Sequence, residues 1–158
     1  MTETLMEIEQ PLAHSITFPV LGFTGTRKFN EWDSAHLPRI PSAMAYVTGG
    51  CEGFDAWVGR YLALTRSGAK HIVILPRDDS HTVEWWTDEQ IKAHVEVVTG
   101  DIDFKERNQA IVKMSNGLYY CALYPERHTN SRRSGTWQTI RMARRAAMPI
   151  SGVVLHNN

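Results

Sequence analysis

The sequence lacks three features that would assign the protein to a specialised class. It has only two cysteines, Cys51 and Cys121, which are too few for a disulfide framework and do not form a Cys-x-x-Cys pair. Lys plus Arg and Asp plus Glu number 17 each, so no net charge draws the whole protein to nucleic acid or an anionic membrane. No apolar run approaches the roughly 20 residues of a membrane-spanning helix. Any site for a polyanion must therefore be local.

The composition that is present fits one soluble globular domain. The chain has 158 residues, of which 42% are hydrophobic and 22% charged, so we expect a single folded domain. The N-terminal segment carries Glu3, Glu7 and Glu9 where a secretory signal needs a basic start. We therefore expect an acidic leader over residues 1–14, a single domain over residues 15–158, a cytoplasmic location, reduced cysteines and no membrane contact.

Short apolar runs alternate with segments of helical period, and this pattern predicts β-α-β units and a parallel sheet. Strands are predicted over residues 16–23, 43–48, 71–75, 95–98, 118–123 and 150–155. Pro19 indicates either an early bend in the first strand or a start at Phe18. Helices are predicted over residues 54–65, 103–115 and 135–147, with short pieces near 32–37 and 87–93. Thr87 is the expected cap of the last of these pieces, with Gln90 three residues later. The fold class is therefore α/β.

Three predicted strand ends lead into glycine- and hydroxyl-rich segments. They are Gly22-Phe23-Thr24-Gly25-Thr26-Arg27, Thr48-Gly49-Gly50-Cys51-Glu52-Gly53-Phe54-Asp55 and, after a polar loop, Arg133-Ser134-Gly135-Thr136. In a parallel sheet, ligands collect beyond the carboxyl ends of the strands, where helix N-termini point free amides outward. Each segment alone is also a common turn or helix cap, but together they predict an anion site. Their spacing matches neither the dinucleotide fingerprint nor the Walker loop, which disfavours a standard NAD dehydrogenase or P-loop ATPase.

The helix predicted over residues 103–115 places a charged side chain on its apolar face. Positions 104, 107, 108, 111 and 115 lie on one side of that helix, so Arg107 and Asn108 face inward. A buried guanidinium is costly unless it is paired, so Arg107 meets either a buried carboxylate or a ligand anion. Asp55 and Glu52 are the candidate partners, and either is equally well placed to favour a helix dipole.

Other conspicuous residues give weaker signals. The seven histidines show no metal-ligand spacing, so we expect no metal site and no cofactor. The adjacent Trp85 and Trp86 could stack on a base or close a pocket, but packing in the core or an interface is the favoured interpretation.

Taken in order, these motifs resemble the SLOG superfamily, which includes the Smf/DprA DNA-processing proteins, the YspA-like domains and the Lonely Guy phosphoribohydrolases. The match covers roughly residues 18–150. Its most specific elements are Gly-Gly-x-x-Gly-x-Asp at residues 49–55 and the Arg107-Asn108 pair. The resemblance implies a Rossmann-like three-layer α/β sandwich with a mainly parallel sheet. It also implies binding of nucleotides or nucleotide-derived molecules, often by a homodimer.

The first hypothesis is therefore a stand-alone domain that binds a nucleotide-type small molecule. The expected ligand-binding residues are Gly22, Thr24, Gly25, Thr26, Arg27, Gly49, Gly50, Cys51, Asp55, Arg107, Asn108, Ser134, Gly135 and Thr136. The glycines and hydroxyls would hold phosphate or ribose. Arg27 and Arg107 would supply charge, and Asn108 would orient the ligand.

Two alternatives stay open. An N-glycosidic hydrolase needs a carboxylate, and Asp55 and Glu106, with Glu52, are the candidate catalytic residues. Thr139 stands where the Lonely Guy signature carries its Glu, which disfavours this activity. Binding of single-stranded DNA, as in the Smf/DprA proteins, is disfavoured by the absence of net positive charge and of the additional domains that those proteins carry.

Overall fold

Strands alternate with helices along the chain, as the hydrophobic pattern predicts. The structure is a computed structural model that describes residues 6–10 and 17–156, with side chains from residue 17 onward. The elements are β1 (Met6–Gln10), β2 (Phe18–Gly25), β3 (Ala43–Thr48), α1 (Phe54–Thr65), β4 (Lys70–Leu75), β5 (Val95–Thr99), α2 (Phe104–Met114), β6 (Gly117–Ala122), α3 (Gly135–Arg145) and β7 (Ile150–Val154). Short 3₁₀ turns lie at Glu31–His36, Trp85–Thr87, Lys92–His94 and Thr129–Ser131.

The strands form one sheet in the order β1-β7-β6-β2-β3-β4-β5. Strands β2 to β7 are all parallel, and only β1, at the edge, runs antiparallel to its neighbour β7. The chain moves outward from β2 to β5 and then returns to place β6 on the other side of β2. The order of the strands therefore reverses between β2 and β6, where the connecting segments diverge and leave a crevice. This topology confirms the α/β class and the Rossmann-like sandwich.

Helices cover both faces of the sheet, with α1 on one face and α2 and α3 side by side on the other. The central strand β6 shows how the core is divided, because successive side chains of a strand point to opposite faces. Tyr119 and Cys121 pack in the cluster that contains α1, whereas Leu118, Tyr120 and Ala122 pack against α3. All five are fully buried, as expected for a strand covered on both sides.

The strand β1 lies within the segment expected to be an acidic leader, where no strand was predicted. It pairs with β7 from Met6 opposite Val153. Its sequence alternates apolar Met6 and Ile8 with Glu7 and Glu9, the pattern of an edge strand with one face toward solvent. The alternation was therefore a usable signal, and the acidic composition obscured it.

The short helix predicted over residues 87–93 is wrong. The segment instead forms the 3₁₀ turns Trp85–Thr87 and Lys92–His94. The Thr87 hydroxyl donates to the Glu84 carbonyl at 2.9 Å instead of capping a helix, and Asp88 Oδ1 accepts from the Gln90 amide at 2.9 Å. Such local side-chain bonds offer the backbone an alternative to the helix. The short piece expected near residues 32–37 is present as the 3₁₀ turn Glu31–His36.

The tryptophan pair belongs to the core. Trp85 and Trp86 are both buried, with ring centroids 5.6 Å apart in an edge-on arrangement, and they pack with Ala63, Val73 and Ile91. Of the two readings left open by the sequence, packing is therefore the one observed. No helix within the described ranges is long and apolar enough to span a membrane.

Candidate functional site

A pocket of about 930 Å³ opens at the carboxyl ends of the parallel strands. Its wall is formed by the segment leaving β2, the loop from β3 to α1, the first turns of α2 and α3, and the loop after β6. This is the point where the strand order reverses, the usual ligand site of an open α/β sheet. Its volume lies within the range of small-molecule sites, roughly 300–1,000 Å³.

Most of the residues predicted to bind a ligand line this pocket. They are Thr24, Gly25, Thr26, Arg27, Cys51, Asp55, Arg107, Asn108, Ser134, Gly135 and Thr136. Gly22, Gly49 and Gly50 lie behind the wall and do not line it. The fold thus brings three separate sequence motifs to one cavity.

Of the candidate carboxylates, Glu52 and Asp55 line the pocket and Glu106 does not. Glu106 Oε1 accepts from the Asp103 amide at 3.0 Å, and the Glu106 amide donates to Asp103 Oδ1 at 2.7 Å. This reciprocal pair is a capping box that closes the first turn of α2. Thr139, at the position of the Lonely Guy Glu, is fully buried and donates to the Gly135 carbonyl at 2.8 Å.

Close packing accounts for several of the glycines near the site. A Cβ at Gly25 would lie 2.3 Å from the Phe54 ring, and a Cβ at Gly49 would lie 2.5 Å from Arg107 Nη1. Gly53 has a φ of +84° and touches the Arg27 backbone, so it needs glycine for conformation as well as for space. Gly135 differs, because a Cβ there would meet only the Asn108 amide at 3.7 Å. Gly135 therefore leaves open space beside the first amides of α3.

A buried polar cluster forms the floor of the pocket. Arg107 is 6% exposed, as its helix position predicts, and its Nε donates to Asn108 Oδ1 at 2.8 Å. Its Nη1 donates to the Gly49 carbonyl, and both terminal nitrogens lie 3.7 Å from Cys51 Sγ. No carboxylate of a described residue lies within ion-pair distance of this guanidinium. A Cβ built at Gly49 would lie 2.5 Å from Arg107 Nη1 and 2.9 Å from Asp55 Oδ2, so the two charges flank the same glycine.

Asp55 is the least satisfied group of this cluster. It is 5% exposed, and its Oδ1 has no hydrogen-bond partner among the described residues. Burial raises the pKa of Asp55 from 3.8 to about 6, against the lowering effects of Arg107 and of the Cys51 and Gly49 amides. Burial and the nearby Asp55 also raise the pKa of the Cys51 thiol, so Cys51 stays protonated at neutral pH. The floor therefore holds a carboxylate that titrates close to neutrality beside an unreactive thiol.

The remainder of the wall carries an excess of positive charge. Arg27, Lys28, Lys105 and Arg133 all line the pocket and are exposed. None of the four has a described carboxylate within ion-pair distance. Because unpaired charges around a low-dielectric cleft concentrate their field within it, the pocket attracts anions although the protein as a whole is neutral.

The start of α3 contributes backbone donors to the same wall. Ser134 Oγ accepts from the Trp137 amide at 3.3 Å, and the Trp137 indole donates to the Tyr124 carbonyl at 2.9 Å. These bonds fix the first turn against the loop after β6. The amides of Gly135 and Thr136 donate to no other described residue. Such free amides at a helix N-terminus favour a bound anion.

A histidine–carboxylate pair on the rim was not predicted from the sequence. His81 Nδ1 lies 2.8 Å from Glu52 Oε2, and both residues line the pocket. Their loops are joined because the Glu52 amide donates to the His81 carbonyl at 2.7 Å and Cys51 forms a bridge with Thr82. The available signal was that His81 closes the polar segment after the strand predicted over residues 71–75, and so lies at the same edge of the sheet.

Within the described ranges, no group of three or more His, Cys, Asp or Glu side chains is placed to hold a metal ion. No protein-family model matches the chain, and no curated protein matches it either. Membership of the SLOG superfamily therefore stays a prediction based on the sequence motifs.

Proposed function

We propose that this domain binds a nucleotide or a nucleotide-derived ligand in the pocket between the ends of β2 and β6. The observation that carries the proposal is the meeting of two kinds of anion-binding group in one cavity. The amides of Gly135 and Thr136, which donate to no other described residue, lie in the same wall as four cations that have no carboxylate partner in the described part of the chain. Helix N-termini and Arg or Lys side chains are the groups that most often bind phosphate in proteins.

The rest of the wall suits the other parts of a nucleotide. Phe104 and Tyr124 are half-buried rings that line the pocket. One face of Phe104 meets the Arg107 guanidinium and one face of Tyr124 stacks on His128, so a base would use the opposite faces. Thr24, Asn108 and Asp55 supply polar groups on the floor. A pocket that combines aromatic surface, a few fixed polar groups and an anion subsite is typical of nucleotide sites.

Thermal denaturation tests the proposal, because a ligand that binds only the folded state raises the midpoint. The probes are nucleoside mono-, di- and triphosphates, NAD, ADP-ribose, cyclic nucleotides, inorganic phosphate and a short single-stranded oligonucleotide. We expect at least one nucleotide to raise the midpoint of the wild-type protein. A response to the oligonucleotide alone would instead favour the DNA-binding alternative, and no response to any nucleotide would contradict the proposal.

Two matched valine substitutions locate the site. Gly135→Val adds a side chain in open space beside the α3 amides, so the fold is expected to persist while the anion subsite is covered. Gly68→Val is the control, because a Cβ at Gly68 would meet no atom within 4 Å. Gly68 lies in the turn between α1 and β4 and does not line the pocket. We expect the nucleotide shift to be lost in Gly135→Val and retained in Gly68→Val. An undiminished shift in Gly135→Val would place binding elsewhere.

A second function, N-glycosidic hydrolysis, is favoured by one specific observation. The pocket holds acid–base side chains in two different environments, the buried Asp55 with a pKa of about 6 and the Glu52–His81 pair on the rim. Separate acid and base groups of this kind are what such a hydrolysis requires. Chromatography would detect free base released from a bound nucleotide, lost in Asp55→Asn and retained in Glu106→Gln. Failure to release base from any nucleotide that binds would exclude this function.

A further inference from the structure

A buried residue of the pocket floor carries a carboxylate oxygen that no described residue hydrogen-bonds. Three buried side-chain atoms of the described residues have no partner: Thr48 Oγ1, Asp55 Oδ1 and Trp85 Nε1. Only Asp55 belongs to a residue that lines the pocket. A buried acceptor without a partner is destabilising, and a charged one more so.

The position of Asp55 in the fold does not by itself explain a carboxylate. Asp55 is the second residue of α1, where a negative charge interacts favourably with the helix dipole. Burial nevertheless outweighs the Arg107 charge and two backbone amides together, because the pKa of Asp55 is still raised. An uncharged side chain at this position would avoid the cost of a buried charge. The carboxylate is therefore better explained by something that binds to it.

The neighbouring polar groups indicate what that group must be. Asn108 lies beside Gly135 at the α3 amides, Asn108 Oδ1 accepts from Arg107 Nε at 2.8 Å, and Arg107 and Asp55 flank Gly49. The Asp55 carboxylate, whose Oδ2 is the oxygen on the Gly49 side, therefore lies across two side chains from the anion subsite. Arg107 Nε and Asn108 Oδ1 already bond each other, whereas an ionised carboxylate can only accept. A ligand that extends from the α3 amides across the floor must therefore present a hydrogen-bond donor there.

We propose that Asp55 is a specificity-determining residue, which accepts a hydrogen bond from a hydroxyl or amino group of the bound nucleotide and rejects analogues that lack this donor. The proposal rests on the proposed function, because it assumes that the anionic end of the ligand lies at the α3 amides. A site built to hydrogen-bond a ligand group discriminates strongly against analogues without it, because the buried partner is then left unpaired.

Calorimetric titration of paired nucleotides tests the proposal and distinguishes the two donor types. The probes are adenosine, guanosine, cytidine and uridine 5′-diphosphates, their 2′-deoxy and 3′-deoxy forms, and inosine 5′-diphosphate, which lacks the amino group of adenosine and guanosine. We expect the Kd of the wild-type protein to rise at least tenfold when one of these donors is removed. Weaker binding of a deoxy form identifies a ribose hydroxyl as the donor. Weaker binding of a nucleotide whose base lacks an amino group identifies that amino group as the donor.

Substitution of Asp55 assigns that discrimination to its carboxylate. Asp55→Asn keeps the shape and removes the charged acceptor, so the discrimination should fall several-fold; Asp55→Ala, which removes the acceptor altogether, should abolish it. Glu96→Gln, which removes an exposed carboxylate on β5 outside the pocket wall, should leave it unchanged. Equal binding of all analogues by the wild type, or full discrimination by Asp55→Asn, would overturn the inference alone. If no nucleotide binds at all, the proposed function fails and the inference fails with it.

The pH dependence gives an independent readout. The groups that face Asp55 are Arg107 from α2 and Cys51 from the β3–α1 loop, and neither changes charge between pH 5 and 7.5. The ligand phosphate titrates in this range, and the Glu52–His81 pair lies on the rim of the same pocket. The readout is therefore the ratio of the Kd of Asp55→Asn to the Kd of the wild type. Effects of the ligand phosphate and of the rim on Kd are common to both proteins and cancel in this ratio. We expect this ratio to rise about tenfold from pH 5 to pH 7.5 as Asp55 ionises, and a constant ratio would overturn the inference.

Discussion

Replacement of Asp55 by asparagine should make the unliganded protein more stable at neutral pH. Burial raises the pKa of this carboxyl from 3.8 to about 6, so the folded protein favours the protonated form. The corresponding stability is fully present below about pH 4 and is lost as the pH rises through about 6. At about 1.4 kcal/mol per tenfold change in ionisation, ionised Asp55 costs about 3 kcal/mol at pH 7.5. Asparagine has the same shape and does not ionise, so it avoids this cost.

Thermal denaturation at two pH values measures the effect. For a domain of this size, about 3 kcal/mol corresponds to a rise in Tm of roughly 6–12 °C at pH 7.5. At pH 3 the Tm of the two proteins should be nearly equal, because Asp55 is then largely protonated in both the folded and the unfolded wild-type chain. Glu96→Gln, which removes an exposed ion pair with Lys70, is the control and should change stability by less than about 1 kcal/mol. A lower Tm for Asp55→Asn at pH 7.5, or the same gain at both pH values, would refute the reasoning.

Three further substitutions test the packing around the site. Arg107→Met should lower the free energy of unfolding in urea by about 1–3 kcal/mol, because it leaves the Gly49 carbonyl and Asn108 Oδ1 without the donor that they bond; an unchanged free energy of unfolding would contradict this role of Arg107. Gly25→Ala should cost about 1–3 kcal/mol because its Cβ would lie 2.3 Å from the Phe54 ring, whereas Gly68→Ala should be close to neutral. Ser134→Ala should lower stability by about 1 kcal/mol through loss of the α3 cap, measured by thermal denaturation; an unchanged Tm would argue against the cap.

Local sequence patterns predict the fold and much of the site. The helix over residues 103–115 places Arg107 on its apolar face, and the structure buries it. The motifs at residues 22–27, 48–55 and 133–136 meet at one pocket because parallel strands share one carboxyl edge. Periodicity and chain direction thus suffice to bring these residues together, since both are local properties of the sequence.

What the sequence did not predict depends on contacts between distant residues. His81 and Glu52 are separated by 29 positions, and only the bridge between their loops brings the side chains together. The close packing at Gly25 depends on Phe54 from the following helix. Glu106 is an exception, because its role could have been predicted from nearby residues. Asp103 and Glu106 have the spacing of a capping box, and this pattern assigns Glu106 to the start of α2. The helix predicted over residues 87–93 is wrong for a local reason, because the Asp88 side chain bonds the Gln90 amide and forms a turn in place of a helix.

A nuclear magnetic resonance titration tests the central claim most directly, since the chain is small enough at 17.9 kDa for its backbone amides to be followed one by one. ¹⁵N-labelled protein would be titrated with the nucleotide that gives the largest thermal shift. If the pocket between β2 and β6 binds it, the amide signals of Gly25, Gly135 and Thr136 should move together in a saturable way while those of Gly68 and Gly100 stay still. Saturable shifts confined to residues outside the pocket wall, or no saturable shift at any nucleotide concentration, would contradict the account.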